Sequence, residues 1–211
     1  MKYKHYPSLH YAQINDFITA LTKEAGVSPL ALQMVIYTAS RSGEVLKAEW
    51  NEFDLKQKIW VIPASRTKTK IRDHKIPLSN PAIEILRGLE KKKIGPYVFP
   101  GQTLKKPLSD MAMLLLIRRL NALGKGPRWV DARTKEQIVS HGFRSTFRDW
   151  CAEQTDYPRE IAEAALSHII GNKVEAAYLR TDHFDKRKKL MDAWARHCLT
   201  PANKTGNNAS N

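Results

Sequence analysis

The feature that most limits the fold is a pair of short β-type runs set between long helical stretches. Residues 58–63 (KIWVIP) and 74–78 (HKIPL) are rich in β-branched and aromatic side chains, and a basic segment, residues 64–73, joins them. Two such runs separated by a polar turn are typical of an antiparallel hairpin. Residues 97–99 predict a short third strand. The sequence therefore predicts one small antiparallel sheet.

Helices are predicted on both sides of this sheet, because apolar residues recur there at the spacing of one helix face. The predicted helices cover residues 11–25, 28–37, 43–50, 80–92, 109–123, 142–154, 158–165, 172–179 and 182–199. The fold class is therefore mainly α with a small antiparallel β-sheet (α+β), and a single domain is expected over residues 1–199. The tail, residues 200–211, is rich in Asn, Thr and Ser, and we expect it to be disordered.

The charge balance points to an anionic partner. Lys and Arg number 35 against 21 Asp and Glu, a formal net charge of +14. Such an excess costs self-repulsion in a compact chain, and nucleic acid is the polyanion that most commonly relieves it. No apolar stretch reaches the roughly 18 residues of a membrane span, and the first residues carry no apolar signal-peptide core. We expect a cytoplasmic protein that faces DNA, associated with the bacterial nucleoid when bound, with no membrane partner.

Several common chemistries are excluded by missing motifs. The sequence has no P-loop, no GxGxxG, no HExxH and no carboxylate cluster of the kind that holds magnesium in nucleases. The two cysteines, Cys151 and Cys198, have no ligand spacing, so buried reduced thiols are expected. We therefore expect no cofactor and no metal.

Four groups of residues could carry chemistry without a metal, and the first two are cationic. Arg41 lies in SRSGE, at the junction of two predicted helices, with Glu44 as a nearby partner. Lys68 lies in the basic segment, which also holds Arg66, Lys70 and Arg72. A basic hairpin turn is suited to bind DNA phosphates, and one lysine there could act as a general acid. The structural alternatives are a helix-end salt bridge for Arg41 and a solvated loop tip for the lysines.

The other two groups supply histidines, an arginine and a hydroxyl. His141 and Arg144 are three residues apart, so both can face the same way from a helix start. His168 precedes Tyr178 by ten residues. Each has a structural alternative: a capping histidine, a surface arginine, and a tyrosine buried in the core. Together, however, the set supplies charge neutralisation, a nucleophile and proton donors, which are the requirements of a phosphodiester exchange.

The order and surroundings of these residues resemble the catalytic domain of the tyrosine recombinase (phage integrase) family. The matching motifs are SRSGE around Arg41, TKTK around Lys68 before IPLS, HGFR from His141 to Arg144, LSH ending at His168, and NKVEAAYLR containing Tyr178. The resemblance runs over residues 9–199 and is greatest to integrases of prophages, satellite phages and genomic islands. Ala39 stands where the family often has glycine, and Lys70 lies close enough to Lys68 to compete for the lysine role.

The resemblance implies the tyrosine recombinase catalytic-domain (DNA breaking-rejoining) fold and a site-specific recombinase that integrates or excises a prophage or genomic island. Tyr178 would form a 3′-phosphotyrosyl bond, Arg41 and Arg144 would hold the nonbridging oxygens, and Lys68 would protonate the leaving 5′ oxygen. His141 and His168 would bind the phosphate or assist the tyrosine proton. The implied partners are double-stranded DNA attachment sites, further subunits in a homotetramer of the full-length protein, and, as candidates, an excisionase (directionality factor) and a host DNA-bending protein.

The domain organisation and the alternative functions remain to be considered. Integrases of this group usually carry an arm-type DNA-binding domain and a core-binding domain, and the sequence contains neither, so an isolated catalytic domain is expected. The alternative functions are a type IB topoisomerase, a non-catalytic DNA-binding fragment of a decayed integrase, and a basic RNA-binding protein, although the last lacks a stacking-aromatic motif.

Overall fold

The computed structural model describes residues 5–123, 128–168 and 182–201. In these residues the chain is mainly helical with one small antiparallel sheet, which confirms the predicted fold class. The helix predicted at residues 172–179, and with it Tyr178, lies outside the described residues, as does most of the tail.

The helices follow the predicted segments closely, with shorter ends. They are α1 (Ile14–Thr22), α2 (Val27–Thr38), α3 (Ser42–Leu46), α4 (Asn80–Glu90), α5 (Ala112–Ala122), α6 (Phe143–Gln154), α7 (Arg159–Ala165) and α8 (Phe184–Leu199). The central element is α2, which packs against α1, α3, α4, α5, α6 and α8. Its residues are apolar on almost every side, and a helix of that kind is stable only when it is surrounded.

The sheet consists of β1 (Phe53–Asp54), β2 (Ile59–Ile62) and β3 (His74–Pro77) in the order β1-β2-β3. The pairing of β2 with β3 confirms the predicted hairpin, with Ile62 opposite His74. The third strand was predicted wrongly at residues 97–99. Tyr97 forms only an isolated bridge to Glu49, because that partner leads straight into a single-turn 3-10 helix and offers no further extended backbone.

The last helix, α8, is fixed to the centre of the molecule by Trp194. This side chain is fully buried, and its indole N–H donates to the Ile36 carbonyl of α2 at 2.7 Å. The ring also packs against Phe147 and Trp150 of α6. The ends of α2 and α6, which carry the candidate site, therefore share one rigid aromatic support. Within the described part of the chain, no helix is long and apolar enough to span a membrane.

The chain before α1 fixes the turn that leads into α6. The Pro7 carbonyl accepts a hydrogen bond from Val139 N–H at 3.2 Å, and Ser8 N–H donates to Asp131 Oδ2 at 2.9 Å. Gly142 follows this turn, and a Cβ added there would lie 2.1 Å from the Pro7 carbonyl oxygen. The glycine of the HGFR motif is thus required by close backbone contact.

Gly142→Ala should therefore lower the free energy of unfolding by about 1–3 kcal/mol, the usual effect of overpacking a tight site. The matched control is Gly88→Ala in α4, where an added Cβ meets no atom within 4 Å. That control should raise the free energy of unfolding by about 0.5–1 kcal/mol, because alanine is the better helix former. Urea denaturation measures both, and similar effects of the two substitutions would show that the contact with Pro7 is unimportant.

Candidate active site

Arg41 is placed by the way α2 ends. The helix stops at Thr38, and Ala39 adopts a left-handed conformation with φ of 50°. The chain then turns so that Arg41 becomes the N-cap of α3. Glu44 accepts from the Arg41 backbone N–H at 3.0 Å and from its guanidinium at 2.9 Å, which confirms the predicted pairing. The same carboxylate therefore fixes both the backbone and the side chain of Arg41.

Arg144 is brought to the same place from the first turn of α6. It is only 5% exposed, and its guanidinium donates to the carbonyls of Ala39 and Leu166, each at 2.6 Å. The next carbonyl, that of Ser167, accepts from Arg41 at 3.3 Å. Since consecutive carbonyls bind the two arginines, the guanidiniums of Arg41 and Arg144 converge, as the sequence predicted.

We call the carbonyls of Ala39, Leu166 and Ser167 the carbonyl clamp. They follow the C-terminal ends of α2 and α7, where the helix dipole is negative and favours cations. Ser167, like Ala39, is left-handed, with φ of 52°. Side chains other than glycine rarely adopt that conformation, which gives a physical reason for the glycine that the family often has at the position of Ala39.

His168 joins the site through Arg144. Its Nε2 lies 3.0 Å from an Arg144 nitrogen, and its Nδ1 lies 2.6 Å from Glu163 Oε2. Because a guanidinium can only donate, Nε2 must accept, and the proton of the neutral ring is on Nδ1, directed at Glu163. The pKa of His168 is lowered, chiefly by partial burial and also by the charge of Arg144, although Glu163 acts to raise it.

Glu163 is a site residue that the sequence analysis missed. Burial acts to raise its pKa, but the hydrogen bond from His168 and the charge of Arg148 outweigh burial, and the net pKa is lowered. Arg148 Nε lies 2.7 Å from Glu163 Oε1. The available signal was a single charged residue within the otherwise apolar run from Ile161 to Leu166, five residues before His168.

His141 stands in a 3-10 turn just before α6, with its ring centroid 4.5 Å from that of Tyr6. Its pKa is lowered to about 4, first by burial and then by the positive charges of Arg144, Arg41 and Lys68. The ring is therefore neutral near pH 7. Lys68 is one of the cations whose charge acts on His141, and its role in the reaction stays a prediction.

The basic segment between β2 and β3 is exposed at Lys68, Lys70 and Arg72. Arg66, in contrast, is directed inward. Its guanidinium lies 2.9 Å from Glu52 Oε1 and also contacts the backbone carbonyls of α3 and the residue after it. Arg66 therefore attaches the segment to the helix that Arg41 begins, and a DNA contact by any of these side chains stays a prediction.

The assembled site is positively charged and partly buried. Burial, followed by the charge of Arg41, lowers the pKa of Arg144 to about 10, and the guanidinium remains charged near pH 7. The described residues contain no group of three or more His, Cys, Asp or Glu side chains arranged to hold a metal ion. Two converging guanidiniums with neutral histidines beside them are suited to bind an oxyanion such as a phosphate.

Comparison with known proteins agrees with this geometry. Residues 7–183 match the model of the phage integrase family, and the chain belongs to that family. It is 31% identical to the integrase of Enterobacteria phage P4, over 92% of this chain and 46% of that protein. It is 32% identical to the prophage integrase IntA of Escherichia coli (strain K12), over 91% of this chain and 44% of that protein. The chain thus spans about half the length of these relatives.

Solved structures support the fold. An integrase from mycobacterium phage Brujita superposes with a TM-score of 0.63 at 14% identity, covering 95% of this chain and 61% of that one. The site-specific recombinase XerH bound to its difH substrate gives a TM-score of 0.59 at 16% identity, covering 82% of this chain and 52% of that one. These likenesses confirm the predicted recombinase catalytic-domain fold.

The strain at Ala39 can be measured by comparison with a second buried alanine. Ala39→Gly and Ala31→Gly each remove a fully buried methyl group, but Ala31 lies within α2. Only Ala39→Gly relieves a left-handed conformation, which costs an L-residue about 1–2 kcal/mol. Glycine within a helix adds a further cost of about 0.5–1 kcal/mol at Ala31. We therefore expect Ala39→Gly to be less destabilising than Ala31→Gly by about 1.5–3 kcal/mol in thermal or urea unfolding. A difference no larger than the helix cost alone would mean that Ala39 is not strained.

The lowered pKa of His141 predicts acid sensitivity. The unfolded ring titrates near 6.5 and the folded ring near 4, so between these values the unfolded state binds more protons. Stability therefore falls as the pH drops from 6.5 to 4. His141→Gln should make the slope of unfolding free energy against pH shallower by up to one proton, about 1.4 kcal/mol per pH unit. His5→Gln, at an exposed histidine, is the control, and an unchanged slope in His141→Gln would contradict the assignment.

Proposed function

We propose that this chain is the catalytic part of a site-specific DNA recombinase, an integrase that cuts and rejoins DNA through a covalent bond to Tyr178. The observation that carries the proposal is the convergence of Arg41 and Arg144 at the carbonyl clamp. His141 and His168 lie beside them, and the net charge of +14 suits a polyanionic substrate. The integrase relatives favour recombination over the topoisomerase and RNA-binding alternatives.

The two arginines retain donors for a phosphate. A guanidinium has five N–H groups. In Arg41, contacts among the described residues occupy two of these N–H groups, so three are left. In Arg144 such contacts occupy three N–H groups, so two are left. These groups can donate to the nonbridging oxygens and offset the negative charge that grows in the transition state. The clamp holds both guanidiniums before DNA arrives, so little reorganisation is needed when it binds.

In the proposed reaction the Tyr178 oxygen attacks the phosphorus and the bond to the 5′ oxygen breaks. Lys68 gives its proton to that leaving oxygen, and a neutral histidine, His141 or His168, can take the proton of the tyrosine. The 3′-phosphotyrosyl bond conserves the energy of the phosphodiester, so neither ATP nor a metal is consumed. Attack by the 5′-hydroxyl of a partner strand reverses the step and completes the exchange.

The proposed partners follow from the family. One solved relative is a lambda integrase tetramer bound to a Holliday junction, with a TM-score of 0.58 at 18% identity, covering 86% of this chain and 50% of that one. By analogy, the full-length protein would act in the cytoplasm as a homotetramer on double-stranded attachment sites and integrate or excise a prophage or genomic island. An excisionase and a host DNA-bending protein are the proposed accessory factors. Lys70 and Arg72 are proposed to contact the DNA backbone around the scissile phosphate, and Arg66, whose guanidinium is paired with Glu52, to support them by anchoring the basic segment.

The test is covalent trapping with EDTA present, using the chain within its full reading frame. The substrate is a nicked duplex that carries the junction between the mobile element and its host DNA. The parent protein should form an adduct that survives denaturant, Tyr178→Phe should form none, and Tyr157→Phe should behave like the parent. An adduct in Tyr178→Phe would assign the nucleophile elsewhere, and a strict magnesium requirement would refute the mechanism.

A further inference from the structure

His74 is a buried polar residue that neither the motifs nor the mechanism uses. It lies on β3, opposite Ile62, at an inward-facing position between exposed Asp73 and Lys75. The side chain is only 9% exposed, and neither ring nitrogen has a hydrogen-bond partner among the described residues. A buried polar atom without a partner costs about 1–3 kcal/mol, and most such atoms in folded proteins are paired.

The charged groups whose fields act on this ring are cations from several elements. They are Arg187 of α8, Arg41 at the start of α3, Arg144 of α6, and Arg72 of the basic segment. Burial and these charges lower the pKa of His74 to about 3, so the ring is neutral near pH 7 and always carries one N–H. Among the described residues the ring N–H has no acceptor. Arg41 and Arg187 are paired with Glu44 and Asp182, whereas the direct contacts of Arg144 in this part of the chain are carbonyls and His168.

The strand that carries the ring is fixed to α8 through the residue next to it. Arg187 is 2% exposed, donates to the Lys75 carbonyl at 2.6 Å and pairs with Asp182 Oδ2 at 2.9 Å. This contact fixes α8 to β3 at the residue next to His74. An apolar side chain would pack at this position without an unmet hydrogen bond, since the cross-strand neighbour Ile62 is itself buried. A histidine there is explained by a ligand better than by packing.

We propose that His74 is a further hydrogen-bond donor of the phosphate site, directed at the DNA phosphate that Arg41 and Arg144 bind. This inference rests on the proposed function. Arg144, to which that function assigns a phosphate contact, is just as buried at 5% exposed, so burial does not separate His74 from the site. A phosphate oxygen supplies the missing acceptor, and its negative charge offsets the guanidiniums that face the ring.

The inference predicts opposite effects on stability and on function. His74→Phe removes the unpartnered nitrogens, so its free energy of unfolding should equal or exceed that of the parent. The rate of adduct formation with the nicked duplex should fall about tenfold, the worth of one hydrogen bond of about 1.4 kcal/mol. Ile76→Val, at the next inward position of β3, is the control. We expect it to lose a little stability and to form the adduct at the parental rate.

A binding measurement that does not depend on DNA cleavage completes the test. Inorganic phosphate is titrated into the protein while histidine ring signals are followed by NMR. The His74 signal should shift as phosphate binds, and His74→Phe should bind phosphate about tenfold more weakly, while His5→Gln binds as the parent does. His74→Gln is measured in parallel, in case Phe does not fit the position.

The outcomes separate this inference from the proposed function. If the parent forms the adduct and His74→Phe forms it at the same rate, the inference about His74 is overturned while the proposed function stands. The absence of phosphate binding to the parent would also overturn it, as would parallel losses of stability and activity in both His74 variants, which would make His74 structural. Phosphate binding that shifts His74, in a parent that forms no adduct, would support the anion site and refute the recombinase mechanism.

Discussion

The structure of the site depends on backbone carbonyls that hold two like charges together. Guanidiniums side by side in a partly buried place repel each other and lose hydration. The carbonyl clamp compensates, because Ala39 and Leu166 accept from Arg144 while Ser167 accepts from Arg41. Within the described residues, Glu44 is the carboxylate in direct contact with Arg41. The geometry of the arginine pair is thus fixed by where α2 and α7 end.

Burial and, after it, the same cations set the charge state of the histidines. Burial and positive neighbours keep His141 and His74 neutral, and His168 is held as one tautomer between Arg144 and Glu163. Neutral imidazoles can accept or donate a proton, whereas imidazolium ions can only donate. A site dense in arginine therefore keeps its imidazoles in the neutral form, which can accept a proton.

The sequence was sufficient for features that have a local cause. The hairpin follows from β-branched runs on either side of a polar turn. The convergence of Arg41 with Arg144 has no local cause, and it was expected only because the resemblance to the family implies it. The sequence analysis missed features that depend on contacts between residues distant in the chain. Residues 97–99 look like a strand, but their partner is a tight turn near Glu49, which no local pattern reveals. Glu163 is a glutamate in a helical run, and only the fold shows that its carboxylate orients His168.

Locally unfavourable features are concentrated in this one region of the described chain. Ala39 and Ser167 are left-handed, Arg41 and Arg144 repel each other, and the buried ring of His74 has no hydrogen-bond partner among the described residues. Each could be relieved by a simple substitution, so stability alone does not account for them. The cost is tolerated because the supports are rigid, with α2 surrounded by helices and α8 fixed to it through Trp194. One ligand would offset several of these costs together: an anion between the guanidiniums reduces their repulsion and offers His74 an acceptor. Binding of such an anion would therefore stabilise this conformation of the site, as any ligand of the folded state stabilises it.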